Sequence, residues 1–282
     1  MPSISRMTVE GRINYIGRTA ERPRYHVNDI SRDVLPLDTR TIQIEDARSR
    51  AQPASLTREG FALFPHKSAV SDFRNPEEVA RVYPPETERL LLELTGADRV
   101  ALSTPGVRRC AESSPDSGQL AASGKLYNSR PAHFVHIDVT DSTAVAFEER
   151  WRPKDQVRPV RRFAIYNIWR AISPPPQDLP LAVCDSRSVS ASDLVEADAI
   201  MDIPGKPESS YVGLVIRHNP CHRWSYFPNM SRDEVLVFKT HDSDPGQPSS
   251  VPHSAFTDPT CPPGVVPRAS IEMRGIAYWF GG

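Results

Sequence analysis

One short segment places an imidazole and a carboxylate two residues apart. His136-Ile137-Asp138 lies in the apolar run from Phe134 to Val139. On a β-strand, residues two apart point to the same face. A His and an acid on one face supply two ligands of a 2-His-1-carboxylate triad, which binds Fe(II) and leaves positions open for an organic cosubstrate and O2. The motif needs further support, because the chain has 8 His and 35 acidic residues and a His on an apolar strand is often a core residue.

A facial triad needs a second His from a distant strand. His253 follows a turn-rich segment and lies 253 − 138 = 115 residues beyond Asp138, which leaves room for intervening strands. His241 is an alternative ligand. His218 and His222 flank a Pro-Cys pair in a predicted turn, and we expect them to form hydrogen bonds within that loop.

A late strand carries two arginines. Arg268, Ser270, Glu272 and Arg274 alternate along the segment after Pro267, so they share one face. A guanidinium binds a carboxylate through two parallel hydrogen bonds. An Arg-x-Ser after the distal His is therefore expected to anchor the far carboxylate of 2-oxoglutarate, with Ser270 adding a hydrogen bond. Either arginine could fill this role. The other could bind substrate, or pair with Glu272 or with Asp138.

Composition excludes several classes of protein. The 282 residues are 39% hydrophobic, with a net charge of −1 and a pI near 6.7, so neither nucleic acid nor an anionic membrane is an expected partner. No apolar run approaches the roughly 20 residues of a membrane span. The first twelve residues have no signal-peptide core. We expect a cytoplasmic protein whose four widely spaced cysteines are free thiols, a zinc site being the less favoured alternative.

The predicted elements are mostly short strands. The 28 prolines are spread along the chain, at about twice the usual frequency of roughly 5%, which favours many loops over long helices. Asn75-Pro76 predicts a helix start, and Pro84 and Pro85 are expected to interrupt that helix. A second helix is expected from Pro85 to Leu94, with Gly96 ending it. A short helix is expected over 192–199. Strands are predicted at 12–16, 41–44, 60–64, 134–139, 162–170, 181–184, 211–216, 224–227, 234–239 and 270–280.

These elements predict a mainly β protein with an α/β N-terminal elaboration on a barrel or sandwich core. We expect a single domain over 1–282, with helices and a lid loop in 1–130 and the β core in 131–282. The lid is the Ser-, Gly- and Pro-rich stretch from Ser103 to Arg130, just before the His136 strand. Long loops are commonly functional lids or disordered excursions, and both interpretations stay open here.

A series of sequence blocks stands in a recognisable order. The blocks are Leu56-Thr57-Arg58-Glu59-Gly60-Phe61, Tyr83-Pro84-Pro85-Glu86, Leu94-Thr95-Gly96-Ala97, His136-Ile137-Asp138, Tyr166-Asn167-Ile168-Trp169-Arg170, Pro180-Leu181-Ala182-Val183-Cys184-Asp185, Asn219-Pro220-Cys221-His222-Arg223-Trp224, Asp233-Glu234-Val235-Leu236-Val237-Phe238-Lys239, Asp242-Ser243, Pro252-His253-Ser254-Ala255-Phe256 and Pro267-Arg268-Ala269-Ser270-Ile271-Glu272-Met273-Arg274. Over about residues 12–280 the chain thereby resembles a known family. That family joins the cephamycin 7α-hydroxylase component, fungal gibberellin desaturases, AsaB-type hydroxylase/desaturases and an endoperoxide-forming oxygenase.

The resemblance implies a double-stranded β-helix (jelly-roll, cupin-like) core and an oxygenase of specialised metabolism that uses Fe(II), 2-oxoglutarate and O2. His136, Asp138 and His253 match the iron ligands, and Arg268 and Arg274 match the late-strand arginines. His241 stands where relatives carry an aromatic residue. The chain also has Ser103-Thr104-Pro105-Gly106 where relatives carry a His-containing block, so the substrate does not transfer.

Such an enzyme would hydroxylate, desaturate or cyclise a small natural-product intermediate at a C–H bond. Phe134, Trp169, Tyr211 and Trp224 are candidates for an apolar substrate pocket, and Asn167 for a polar substrate contact. Two other hypotheses remain: an iron oxidase on the same scaffold that does not consume 2-oxoglutarate, and a non-catalytic accessory subunit of a methoxylation system. A homodimer or an accessory protein partner also stays open.

Overall fold

The computed structural model describes residues 7–117, 128–203 and 205–281. Fifteen strands and two α-helices are found in these ranges. The helices are α1 (Pro76–Thr95) and α2 (Asp141–Trp151). The strands are β1 (Thr8–Ile16), β2 (Arg24–His26), β3 (Leu37–Asp46), β4 (Phe61–Pro65), β5 (Arg99–Cys110), β6 (Asn128–Ser129), β7 (His136–Ile137), β8 (Val160–Ala171), β9 (Leu181–Cys184), β10 (Leu194–Met201), β11 (Ser209–Ile216), β12 (Trp224–Tyr226), β13 (Glu234–Asp242), β14 (His253–Ala255) and β15 (Ala269–Phe280).

The strands form two sheets. The larger has the order β1-β3-β12-β9-β14-β7-β11-β10-β2, and the smaller has the order β4-β13-β8-β15-β5-β6. Apolar side chains from both sheets form a shared core, in which Trp169 and Phe238 of the smaller sheet pack with Val183 of the larger. This is the curled two-sheet arrangement of a jelly roll, and the predicted mainly β fold class is confirmed. Both sheets contain strands from before and after residue 130.

Helix α1 packs outside the smaller sheet, and it is one helix where two were predicted. Asn75 caps its start by accepting hydrogen bonds from the amides of Glu77 and Glu78. Gly96 ends it in the left-handed conformation at φ 63°. The expected break at Pro84 and Pro85 is wrong. Each proline removes a backbone hydrogen bond and costs about 3 kcal/mol in a helix interior.

Burial of one face of α1 outweighs that cost. Val79 and Tyr83 pack on Ile271 and Met273, and Leu91 packs on Val100 and Ala277. Each large buried apolar side chain contributes roughly 1.5–3 kcal/mol. The helix therefore continues through the proline pair.

Two other predicted elements differ from the structure, and one helix was missed. The helix expected over 192–199 is wrong: Ala191–Asp193 is one 3-10 turn, and Leu194–Met201 is β10, because pairing with β11 and β2 overrides the helix preference of its alanines. The strand predicted at 134–139 is only the two residues of β7. Helix α2 was not predicted, although Thr140 caps it.

The expected loop from Ser103 starts too early, because β5 continues to Cys110 against β15. The register shift between Glu272 and Arg274 marks a bulge that accommodates the Pro-Gly pair inside β5. The rest of the predicted lid falls partly in residues 118–127, which lie outside the described ranges.

Candidate metal centre

The two histidines come from neighbouring strands of the larger sheet. His136 on β7 lies directly opposite His253 on β14, and their ring centroids are 4.2 Å apart. Asp138 follows β7 by one residue, and its Oδ1 lies 3.9 Å from Nε2 of each histidine. One ligand atom from each of the three lies within 4.8 Å of the others, and all three side chains are buried. The two-residue spacing of His136 and Asp138 and the cross-strand pairing of His136 with His253 therefore bring the three side chains together.

Backbone carbonyls orient both imidazoles. Nδ1 of His136 lies 3.0 Å from the oxygen of Phe134, and Nδ1 of His253 lies 3.2 Å from the oxygen of Val251. With Nδ1 donating its proton to a carbonyl, Nε2 keeps its lone pair and faces Asp138. Histidine ligands of metals are oriented in this way, so the donor set fits a metal ion.

The charge states suit a cation. Burial and, to a smaller extent, the nearby His253 lower the pKa of His136 to about 3. Burial also lowers the pKa of His253. Burial alone would raise the pKa of Asp138, but Arg274 and the two histidines hold it below its usual value. At neutral pH the three groups are therefore two neutral imidazoles and one carboxylate.

Two side chains of the smaller sheet hold Asp138. Arg274 on β15 donates from Nη2 to its Oδ1 at 2.8 Å, and Asn167 on β8 donates from Nδ2 to its Oδ2 at 3.4 Å. The hydroxyl of Tyr211 accepts from Arg274 at 3.4 Å. Arg274 thus occupies the bracing position that the sequence left open.

Arg268 occupies a different place from Arg274. It lines a small cavity together with His136 and His253. Its guanidinium donates to the carbonyl of Leu179 at 2.8 Å and to the hydroxyl of Ser270 at 3.2 Å, and it lies over the Trp169 ring at 5.0 Å. Its Nε has no partner among the described residues. Burial lowers the pKa of Arg268 to about 10, so it stays charged at neutral pH.

The sequence analysis missed Arg109. It lies on β5, inside the segment predicted to be a loop, and donates to Glu272 at 2.7 and 3.0 Å and to the carbonyl of Arg130 at 3.0 Å. Arg109 lines both the small cavity and a larger one next to it. Only the strand pairing of β5 with β15 could have revealed this position, because no motif marks it.

The larger cavity, about 380 Å³, leads from the triad to the surface. Phe134 and Tyr211, which the sequence predicts to contact substrate, line it. Trp169 lies beneath Arg268, and Trp224 donates to the Tyr15 hydroxyl in another core cluster. We therefore leave both tryptophans out of the substrate site.

The other histidine candidates have other partners. His241 lies 3.1 Å from Asp141 at the start of α2, and His222 lies 3.2 Å from Asp193. A more open cavity of about 540 Å³ is lined by residues of 57–58, 186–194 and 246–250, none of which belongs to the triad. No helix in the described ranges is long and apolar enough to cross a membrane.

Known proteins resemble the chain over most of its length. A family model described as an oxidoreductase/YMDC permease-like domain matches residues 13–278. The hydroxylase/desaturase efuI of Hormonema carpetanum is 30% identical, with 96% of this chain and 95% of that protein covered. The alpha-ketoglutarate-dependent dioxygenase phiK of a fungal species is 30% identical, with 86% of this chain and 85% of that protein covered.

A solved structure shares the fold. The iron and alpha-ketoglutarate-dependent endoperoxidase NvfI superposes with a TM-score of 0.79 at 22% identity, covering 97% of this chain and 99% of that one. The protein of that name from Aspergillus novofumigatus is 26% identical over 84% of this chain and 82% of its own length. The jelly-roll core, the match of the family model and the 30% identical relatives together place the chain in this oxidoreductase family of hydroxylase/desaturases and alpha-ketoglutarate-dependent dioxygenases.

Proposed function

We propose that the chain is an Fe(II)- and 2-oxoglutarate-dependent oxygenase that activates a C–H bond of a small natural-product intermediate. The observation that carries this proposal is the buried set of two imidazoles and one carboxylate, whose ligand atoms lie within 4.8 Å of one another, in a chain of this family. Hydroxylation, desaturation and oxidative ring formation all begin with such an activation.

His136, Asp138 and His253 would hold the iron. When bound there with 2-oxoglutarate, the metal supplies oxidative decarboxylation of the cosubstrate and activation of O2. The carbonyls of Phe134 and Val251 keep both Nε2 atoms directed at the site. Arg274 and Asn167 fix the rotation of the Asp138 carboxylate, because they donate to different oxygens.

Arg268 and Ser270 would bind the far carboxylate of 2-oxoglutarate. Arg268 is charged and buried, its Nε has no partner in the part of the chain that the structure describes, and it shares its cavity with both histidines. The Arg274 guanidinium is already paired with Asp138, so we assign it to positioning the ligand and not to binding the cosubstrate. The apolar stack on Trp169 limits the access of water to Arg268, which strengthens its interaction with an anion.

The larger cavity would hold the substrate. Phe134 supplies an apolar wall, and Tyr211 presents a hydroxyl near Asp138 and Arg274. The volume of about 380 Å³ lies in the range of small-molecule sites. Asn167, expected from the sequence to contact substrate, is assigned instead to Asp138.

Anaerobic spectroscopy tests the proposal. Addition of Fe(II) and then 2-oxoglutarate should give the weak visible charge-transfer band of the chelated cosubstrate. His136→Ala should abolish the band, and Arg268→Ala should raise the concentration of 2-oxoglutarate needed for it. Arg274→Ala is the matched comparison and should mainly weaken iron binding. Iron binding without a band would favour an oxidase that does not use 2-oxoglutarate. No iron binding would overturn the proposal.

We further propose that residues 1–282 act as one domain, because strands from both halves enter each sheet. All four cysteines are free, which fits a reducing compartment such as the cytoplasm. Sedimentation of the purified chain distinguishes a monomer from a homodimer, and turnover without added proteins would exclude a required accessory subunit.

A further inference from the structure

The side chains that line the larger cavity indicate the chemical class of the substrate. This inference rests on the proposed function, since it concerns the molecule bound next to the triad. The mouth of the cavity is apolar: Ile30 and Leu37 line it and are 57% and 49% exposed. Val27, Leu35 and Phe134 continue the apolar wall.

The acids of the wall have partners. Asp33 accepts from the backbone amide of His26 at 2.7 Å and lies 3.1 Å from its Nδ1. Glu112 lies 3.2 Å from Nε2 of His133. Asp138 is held by Arg274. The cavity therefore offers few free acceptors to a ligand.

One cation of the wall differs from the other two in its contacts with the described residues. Of the three arginines that line the cavity, Arg109 is bound to Glu272 and Arg274 to Asp138. The Arg130 guanidinium has no hydrogen bond or ion pair within the described ranges, and only its backbone carbonyl is used, by Arg109. A free guanidinium beside an apolar cavity suits a carboxylate.

A tyrosine of the wall also presents its hydroxyl to the cavity. Tyr25 lines the cavity and is 8% exposed, yet its hydroxyl has no hydrogen bond in the part of the chain that the structure describes. Gly213 makes its position possible, because a Cβ there would lie 3.0 Å from this hydroxyl and 3.1 Å from the carbonyl of Asp138. The free donor therefore lies beside the ligand segment, and buried phenols normally have a partner.

We propose that the substrate is an apolar molecule with two oxygen groups: a carboxylate that Arg130 binds, and a neutral acceptor such as a ketone to which Tyr25 donates. Arg130 and Tyr25 then determine specificity, whereas the apolar wall supplies most of the contact area. The Tyr25 contact lies at the triad end of the cavity, so the neutral oxygen is carried close to the carbon that reacts.

Two matched pairs of probes test the two contacts separately. The full-length protein is studied anaerobically with Fe(II) and 2-oxoglutarate, which keeps a carboxylate probe away from the triad, and binding is measured by equilibrium dialysis. The first pair is naphthaleneacetate and naphthaleneacetamide, which differ in charge. The second pair is acetylnaphthalene and ethylnaphthalene, which differ in one carbonyl oxygen.

The wild-type protein should bind the acid about fivefold to tenfold more tightly than the amide, and the ketone about threefold to tenfold more tightly than the hydrocarbon. Arg130→Gln should remove the first preference, and Arg130→Lys should retain part of it. Tyr25→Phe should remove the second. The controls are Arg161→Gln, at an exposed arginine on β8, and Tyr166→Phe, at a buried tyrosine in another cluster. Both controls should keep both preferences.

A wild-type ratio near one in either pair overturns the proposal, as does a preference that survives in Arg130→Gln or in Tyr25→Phe. Absence of binding by all four probes also overturns it. The charge-transfer band reports on the proposed function independently. A band without acid preference rejects the substrate class alone, whereas acid preference without a band rejects the oxygenase assignment alone.

Discussion

At the scale of single residues, the chemistry depends on how the ligands are held. Asp138 is the clearest case, because its two oxygens accept from two strands of the opposite sheet. The sequence pointed to His136, Asp138 and His253, and the structure brings the three together. It could not assign Arg274 or find Arg109, because their roles depend on which acid each meets across the fold.

Asn167→Ala should weaken iron binding by about tenfold to a hundredfold, since partners of metal ligands commonly contribute that much affinity. Competition with a chelator under anaerobic conditions measures the change. Asn219→Ala is a suitable control, because it makes the same substitution beside Asp193, away from the triad. Equal iron affinity in the two variants would show that Asn167 does not position Asp138.

At the scale of elements, packing overrides local preference in α1, β5 and β10. The caps of α1 could be predicted from Asn75 and Gly96, since these are local signals. Its continuation through Pro84 and Pro85 could not, because it depends on a buried face that only the sheet provides. The same holds for β5, whose Pro-Gly pair is accommodated by a bulge.

Pro85→Ala should stabilise the protein by about 1–2 kcal/mol. The change restores a backbone amide that can donate within the helix, which stabilises the folded state by about 3 kcal/mol. It also makes the unfolded chain more flexible, which stabilises the unfolded state by roughly 1 kcal/mol. Pro85 is exposed, so little packing is lost. Thermal unfolding should show a midpoint a few degrees higher. A lower midpoint would mean that the ring itself stabilises the helix.

A buried ion cluster joins β8 and β13. Asp242 accepts from Lys239 at 2.6 Å and from Arg162 at 2.6 and 2.9 Å. Asp242→Asn should destabilise the protein by about 3–5 kcal/mol, because it leaves Lys239 charged and unpaired in the core. Denaturant unfolding at pH 7 measures the loss.

The same cluster predicts a pH dependence. Burial raises the pKa of Asp242, but the hydrogen bonds from Arg162 and Lys239 outweigh it and hold the pKa below its usual value. The contribution of the ionised Asp242 to the free energy of unfolding is therefore complete above the pKa of an unfolded Asp, about 3.9. It is lost as the pH falls through the lower pKa of the folded state. The difference in free energy of unfolding between wild type and Asp242→Asn should shrink below pH 4. A difference that stays constant with pH would show that the ionised Asp242 is not its cause.

At the scale of the whole molecule, the metal should stabilise the fold. Fe(II) at a hundredfold excess over its dissociation constant should add about 2.7 kcal/mol to the free energy of unfolding, provided that the unfolded chain does not bind it. Anaerobic thermal unfolding with and without Fe(II) tests this. The shift should be absent in His253→Ala, and a shift of equal size there would place the metal elsewhere.

The jelly-roll core could be predicted from many short strands with turn signals and from the family resemblance. The order of strands could not, because β14 and β7 become neighbours only through long-range pairing. The sequence also underestimated the part before residue 130, which supplies strands to both sheets and, through Tyr25 and Arg109, part of the cavity wall.

The direct pairing of His136 with His253 has a consequence for the order of folding events. These residues are separated by 253 − 136 = 117 positions, and β8 to β13 lie between β7 and β14 in the sequence. Contacts of such long sequence separation form slowly. Iron binding should therefore report on a late stage of folding. In a refolding experiment the protein should bind the metal only after most secondary structure has returned. A chain cut between the two histidines should bind it only when both pieces are present.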